Sequence, residues 1–391
     1  MAVLENEEAL FERLCSDLAD RLSDEAGVET GVRQNIEAWI KGNKALSTLS
    51  TIEKISLSKI WLRRIEGYDF LEPYLKDPEV TEIMVNGPDK IFVETRNVIN
   101  QAEYRVSGER LRQLIQKMVS EVDRRVNFRD PIVDARLKDG ARLNVVMPPI
   151  ALDGPYLTIR KFRKDLLSLE ALRDSGMMDD QLFGFLKGAV FCRQNLIISG
   201  GTSSGKTTLL NCLSRCIPAV ERVISIEDSA ELNLSEIENL VRLETRPPNT
   251  GDGLEITMSD LIRTALRMRP DRMIVGEIRG SEALDMLQAL NTGHDGSMST
   301  GHSNSAADML DRIEAMAMMA GRSSSEGIRR QIGSGVHWVI HLKKDADGSR
   351  KIQEVIRIKG FVQGAVVFET IVSEGFVIEN MQAFDQVRLH G

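Results

Sequence analysis

The chain of 391 residues is longer than one hydrophobic core usually serves, so two or three domains are expected. Hydrophobic residues make up 42% and charged residues 28%, which excludes disordered and fibrous classes. A net charge of −8, from 50 basic and 58 acidic residues, argues against a broad nucleic-acid footprint, because Lys and Arg dominate phosphate-backbone binding.

Residues 1–65 form the first expected domain, a helical N-terminal extension. It opens without the basic and apolar segments of a signal peptide, and no later run reaches the roughly 18 apolar residues of a membrane span. A cytoplasmic protein is expected. Leu10, Leu14, Leu18 and Leu22 recur every four residues among an excess of acids, so one helix face must pack on something, either its own domain or a partner. Cys15, Cys192, Cys212 and Cys216 contain no CxxC pair and suggest neither zinc nor a disulfide framework.

The second expected domain, 66–163, is α+β. Thr81–Val85 and Lys90–Glu94 flank the turn-rich Asn86-Gly87-Pro88-Asp89, and Ser107 can cap a helix with Leu111, Leu114, Ile115 and Met118 on one stripe. Further strands are expected at Val133–Leu137, Ala141–Val146 and Leu157–Phe162.

From 164 to 391, short apolar segments alternate with helical ones: 195–199, 222–226, 239–243, 272–275 and 296–300. Such alternation predicts a wound, mostly parallel α/β sheet. The last fifty residues, with Asp345-Ala-Asp-Gly348 between two alternating runs, read as an added antiparallel piece.

The first of these strands leads into SGGTSSGKTT, Ser199–Thr208, which meets G-x4-G-K-[ST] at every fixed position between a strand and a helix. The binding set is Gly200, Gly201, Thr202, Ser203, Ser204, Gly205, Lys206, Thr207 and Thr208. Backbone N–H groups and the helix N-terminus would cradle a β-phosphate. Lys206 would reach the β- and γ-oxygens of a nucleoside triphosphate, and the Thr207 hydroxyl would ligate Mg²⁺.

Such a site needs acids at neighbouring strand ends. Glu277, after 272–275, is placed to hold the Mg²⁺ water shell; Glu227, after 222–226, to orient or deprotonate the lytic water. His294 and His302 bracket another strand, where a neutral imidazole could read the γ-phosphate or simply make structural hydrogen bonds. Arg142 and Arg160 are candidates for charge stabilisation on domain closure, or surface ion pairs; Arg279 could share that role or pair with Glu277.

Together these stretches resemble the secretion ATPase superfamily of type II and type IV machines, and within it the tight-adherence (Flp/Tad) pilus assembly ATPases, the CpaF family. The resemblance is carried by EIMVNGP (82–88), DPIVDARLKDGARLNVVMPP (130–149), LTIRKF (157–162), the phosphate loop and ISIEDSAEL (224–232). It continues through VRLETRP (241–247), LRMRPDRMIVGEIRG (266–280) and NTGHDGSMSTGHSNS (291–305). It implies a RecA-like ATPase core, a PAS-like N-terminal domain and a homo-hexameric ring. ATP hydrolysis would drive a pilus or secretion platform in the inner membrane, with type IV export as the neighbouring alternative. Glu227 then falls in the Asp box, Glu277 in Walker B, His294 and His302 in the His box, and Arg142 and Arg160 match arginines that approach the phosphates. Two features depart from the wider family: Ser203 stands where a glycine is usual, and a tetracysteine zinc module is absent.

A nucleotide switch that barely hydrolyses ATP and a DNA-translocating RecA-like protein are the rival readings. The negative charge and the lack of aromatics interleaved with a basic stripe weigh against the second.

Overall fold

The computed structural model describes residues 7–24, 32–96, 98–102, 104, 106–161, 167–246 and 254–377, in two compact units, Met1–Arg163 and Lys164–Gly391. In the first unit, α1 (Glu7–Asp24), α2 (Val32–Gly42) and α3 (Thr51–Glu66) bury Leu10, Leu14 and Leu18 against Ile36, Ile40, Leu46 and Trp61. The α1 stripe thus packs within its own unit, and the side chain of Leu22 lies outside those described. Ser50 starts α3 with a reciprocal capping box to Glu53, which satisfies N–H groups that the first turn leaves open.

After the short α4 (Glu72–Lys76) comes an antiparallel sheet ordered β3-β2-β1-β6-β5-β4. Its strands are β1 (Val80–Asn86), β2 (Ile91–Thr95), β3 (Val98–Gln101), β4 (Ile132–Arg136), β5 (Arg142–Val146) and β6 (Tyr156–Arg160). One face is covered by α5 (Gly108–Ser120), whose buried Leu111, Leu114, Ile115 and Met118 meet alternate strand residues such as Ile83, Val85, Leu143 and Ile159. Ser107 caps this helix by accepting from Arg110 N. β3, which the sequence reading missed, is an exposed edge with no buried residue to give an alternating signal.

The second unit carries a nine-stranded sheet ordered β15-β14-β13-β12-β7-β11-β10-β8-β9. The parallel part comprises β7 (Leu196–Gly200), β8 (Val223–Glu227), β9 (Leu240–Glu244), β10 (Arg272–Val275), β11 (Met298–Gly301) and β12 (Trp338–Lys344). Leu196 and Ile198 face a core built with α6 (Leu169–Asp174), α7 (Asp180–Phe191) and α8 (Lys206–Ser214). Ile197 faces the opposite core with α9 (Met258–Ala265), α10 (Glu282–Leu290), α11 (Ala306–Met318) and α12 (Ser325–Gly335). A strand buried on both faces reads as an unbroken apolar run, which is why β7, β8 and β10 were legible.

β13 (Arg350–Val362), β14 (Ala365–Ser373) and β15 (Phe376–Val377) are antiparallel, as expected of the C-terminal piece. The piece is joined to the core sheet through β12. That strand pairs parallel with β7 from Trp338–Leu196 to Leu342–Gly200, so the piece begins inside the core sheet and its first strand flanks the phosphate loop.

Candidate functional site

β7 ends at Gly200 and α8 begins at Lys206, leaving a tight loop between them. At Gly200 (φ +152°) a Cβ would lie 2.5 Å from Leu342 O and 2.6 Å from Ser204 Oγ, so β12 leaves no room for a side chain. Gly205 caps α8 at φ +100°, in the left-handed region open to glycine. Ser203 adopts φ +59°, so a serine holds a left-handed position, and Arg350 Nε donates to its carbonyl at 3.0 Å. Thr202 is exposed, Thr207 and Thr208 are half-buried in the first turn of α8, and Ser204 Oγ is buried with no hydrogen-bond partner among the described residues.

Lys206 is buried, and its Nζ donates to Gly200 O (3.1 Å) and Gly201 O (2.9 Å) while lying 3.4 Å from His302 Nδ1. Burial pulls its pKa down, against the opposing pull of the Glu277 charge. His302 leaves the end of β11 with Nε2 3.0 Å from Glu277 Oε1, while Arg279 donates to Glu277 Oε2 at 2.7 Å. Burial first, then the Lys206 charge, holds the His302 pKa below its usual value. A neutral ring facing an ammonium at Nδ1 carries its proton on Nε2. Thr300 of β11 fixes the turn bearing Glu277: its Oγ1 donates to Gly276 O at 2.7 Å, and its carbonyl accepts from Ile278 N at 2.9 Å. Lys206, Glu277, Arg279 and His302 therefore meet at the carboxyl ends of β7, β10 and β11, the edge where open parallel sheets bind ligands.

Glu227 closes β8 next to this group; a Cβ on Gly276 would come within 3.0 Å of its Cγ. Its carboxylate turns toward the following loop, where Oε2 accepts from Glu231 N (2.6 Å) and Leu232 N (2.8 Å). Burial raises its pKa, with those two N–H bonds opposing.

The expectation that His294 lies at the mouth of the sheet is corrected. His294 precedes β11 by four residues and sits at the amino end of the strand, with Nδ1 3.3 Å from Ala289 O and 3.4 Å from Thr292 Oγ1. Bracketing a strand puts two residues at its opposite ends. Arg142 and Arg160 belong to the first unit, where they are direct cross-strand partners on β5 and β6, with Glu82 of β1 opposite Arg160. Two groups escaped the sequence reading: Arg350, and His341 of β12, whose Nδ1 is 3.0 Å from Ser199 Oγ beneath the loop. Both reach the site through strand pairings that no local signal announces.

A Thr hydroxyl and a carboxylate are hard-oxygen ligands suited to Mg²⁺. Among the described residues no group of three or more His, Cys, Asp or Glu could hold a metal, so a cation at Thr207 and Glu277 would take its other ligands from phosphate and water. No described helix is long and apolar enough to cross a membrane.

Comparison with known proteins agrees with this geometry. Residues 65–367 match the family model for type II/IV secretion system proteins. The conjugal transfer protein TrbB of Rhizobium radiobacter is 33% identical over 291 residues, covering 73% of this chain and 86% of its own. The type IV secretion system protein PtlH of Bordetella pertussis (strain Tohama I) is 36% identical over 274 residues, covering 63% and 80%. A crystal structure of the pilus retraction motor PilT with bound ADP, 18% identical, aligns with a TM-score of 0.55 over 83% of this chain and 86% of that one, which supports the fold. The two relatives are conjugal-transfer and type IV secretion proteins, so they support the superfamily rather than the tight-adherence branch to which the sequence resemblance pointed. The match spans most of the chain, which therefore belongs to the type II/IV secretion system protein family.

Proposed function

We propose that this protein is the ATP-hydrolysing motor of a type IV secretion machine of the conjugal-transfer class, acting as a cytoplasmic homo-hexamer on an inner-membrane platform. The relatives' names favour that branch over the pilus branch. The observation that carries the ATPase reading is the buried Lys206, held among the described residues by loop carbonyls and a neutral imidazole, beside the Glu277 carboxylate. Carbonyls are weak partners for a buried ammonium, and phosphate oxygens are strong ones.

In this reading Lys206 exchanges Gly200 O and Gly201 O for β- and γ-phosphate oxygens, and the loop N–H groups from Gly201 to Thr208 hold the β-phosphate. Mg²⁺, when bound through Thr207 and the water shell of Glu277, neutralises charge developing on the transferred phosphoryl group. His302 stands against Glu277 on one side, with Nε2 3.0 Å from Oε1, and Arg279 holds Oε2 from the other. Glu227 orients the attacking water after its carboxylate leaves the Glu231 and Leu232 amides; its raised pKa suits a base. Arg142 and Arg160 are the candidates for supplying guanidinium charge to the transferred phosphoryl group in the assembled ring.

The test is Mg-ATP turnover by purified full-length protein. Glu277→Gln is expected to lower kcat by about 100-fold or more while ADP still binds. Wild-type turnover in that variant, or no adenine nucleotide uptake by the native protein in calorimetry, overturns the reading.

A further inference from the structure

Arg350 opens β13 just after the Asp345–Ser349 turn and reaches a loop 147 positions earlier in the chain. Its Nε donates to Ser203 O at 3.0 Å, and its Cδ lies 3.3 Å from where a Cβ on Gly205 would stand. The side chain therefore lies along the phosphate loop from Ser203 to Gly205. A trans peptide carries its C=O and N–H on opposite sides. With Ser203 O turned to Arg350, the N–H of Ser204 is turned the other way, and it faces Gly201 O across the loop at a long 3.4 Å. A stronger acceptor would readily displace so long a contact. Ser203 holds this orientation at φ +59°, a conformation serine populates reluctantly, so the loop needs an outside hold that a glycine there would not require.

We propose that Arg350 is a positioning residue for the phosphate loop: by fixing the Ser203–Ser204 peptide plane it aims the Ser204 N–H at the β-phosphate of a nucleoside di- or triphosphate. Arg350 and Ser203 then work as a coupled pair. The proposal rests on the reading of this loop as a nucleotide site, and it adds a residue from the C-terminal antiparallel strands to that site.

The experiment uses the full chain and Mg-ADP titrated by calorimetry, with ATP kinetics alongside. Arg350→Met keeps the stem over Gly205 and removes the donor; Arg350→Gln places an amide N–H at the position of Nε and keeps it. Arg350→Met is expected to raise the Kd for ADP and the KM for ATP about tenfold with kcat within about twofold, and Arg350→Gln to stay within about threefold of wild type. In a Ser203→Gly background the effect of Arg350→Met is expected to shrink to about threefold or less, because glycine takes the left-handed turn unaided. Arg350→Leu replaces the Met variant if the latter does not fold. Wild-type ADP affinity in Arg350→Met, or an equal loss in both backgrounds, overturns the clamp while leaving the nucleotide reading intact. Native protein that takes up no nucleotide overturns both.

Discussion

The two ends of one parallel sheet handle buried charge in opposite ways. At the amino end, Arg272 is fully buried and spends every nitrogen: Nε and Nη2 on Glu221 at 2.6 and 3.0 Å, and Nη1 on Val190 O at 2.6 Å. Asn195 beside it donates to Gly335 O, accepts from Gly296 N and Ser297 N, and takes His337 Nδ1 on its backbone N–H. At the carboxyl end, Lys206 rests on loop carbonyls, and among the described residues Ser204 Oγ and Glu277 Oε1 find no hydrogen-bond partner. Buried polar groups are nearly always satisfied, so the satisfied end reads as structure and the unsatisfied end as a place where a ligand completes the bonding.

Removing a charge from each end is the strongest way to break this comparison. Lys206→Ala is expected to cut ATP turnover by about 1,000-fold or more with a melting temperature within about 3 °C of wild type, since its partners are replaceable. Turnover of the native kind, or a collapsed melting curve, would place Lys206 with the structural groups. Arg272→Leu is expected to cost about 3–5 kcal/mol in urea unfolding, because Glu221, Val190 O and Gly296 O lose their donor. Asn195→Ala should cost roughly 2–3 kcal/mol by leaving the Gly296 and Ser297 amides unpaired, with a smaller effect on nucleotide binding than on stability.

The mildest test is pH. Burial lowers the pKa of His337 at the amino end and of His341 beneath the loop, and a protonated His337 would lose the bond its Nδ1 accepts from Asn195 N. Below the usual histidine value near 6.5 the unfolded chain binds more protons than the folded one, so stability rises with pH through that region and falls as pH drops below it. Melting curves between about pH 7 and pH 5 should show that fall, and His341→Asn should flatten part of it. A curve that rises on acidification would reverse the sign of the argument.

Much of the site was readable before folding because its parts are local. The glycine spacing of 200–205, the apolar β7 and the helix after Lys206 are contiguous, and Glu277 follows its strand directly. Where a residue's place depends on which end of a strand it occupies, as with His294, sequence order alone misled. Glu227 was found at its strand end, yet the turn of its carboxylate toward the Glu231 and Leu232 amides is a fact of the loop that follows.

By itself the sequence determined the phosphate loop, the two-faced apolar strands and the helix caps, since each rests on near neighbours and on the steric limits of the backbone. Only the tertiary structure decided that β12 lies beside β7, that Arg350 touches Ser203 and that His302 stands between Lys206 and Glu277. Those contacts join residues from 25 (His302 and Glu277) to 147 (Arg350 and Ser203) positions apart, and they form only where packing both faces of one sheet brings separate strand ends to a common edge.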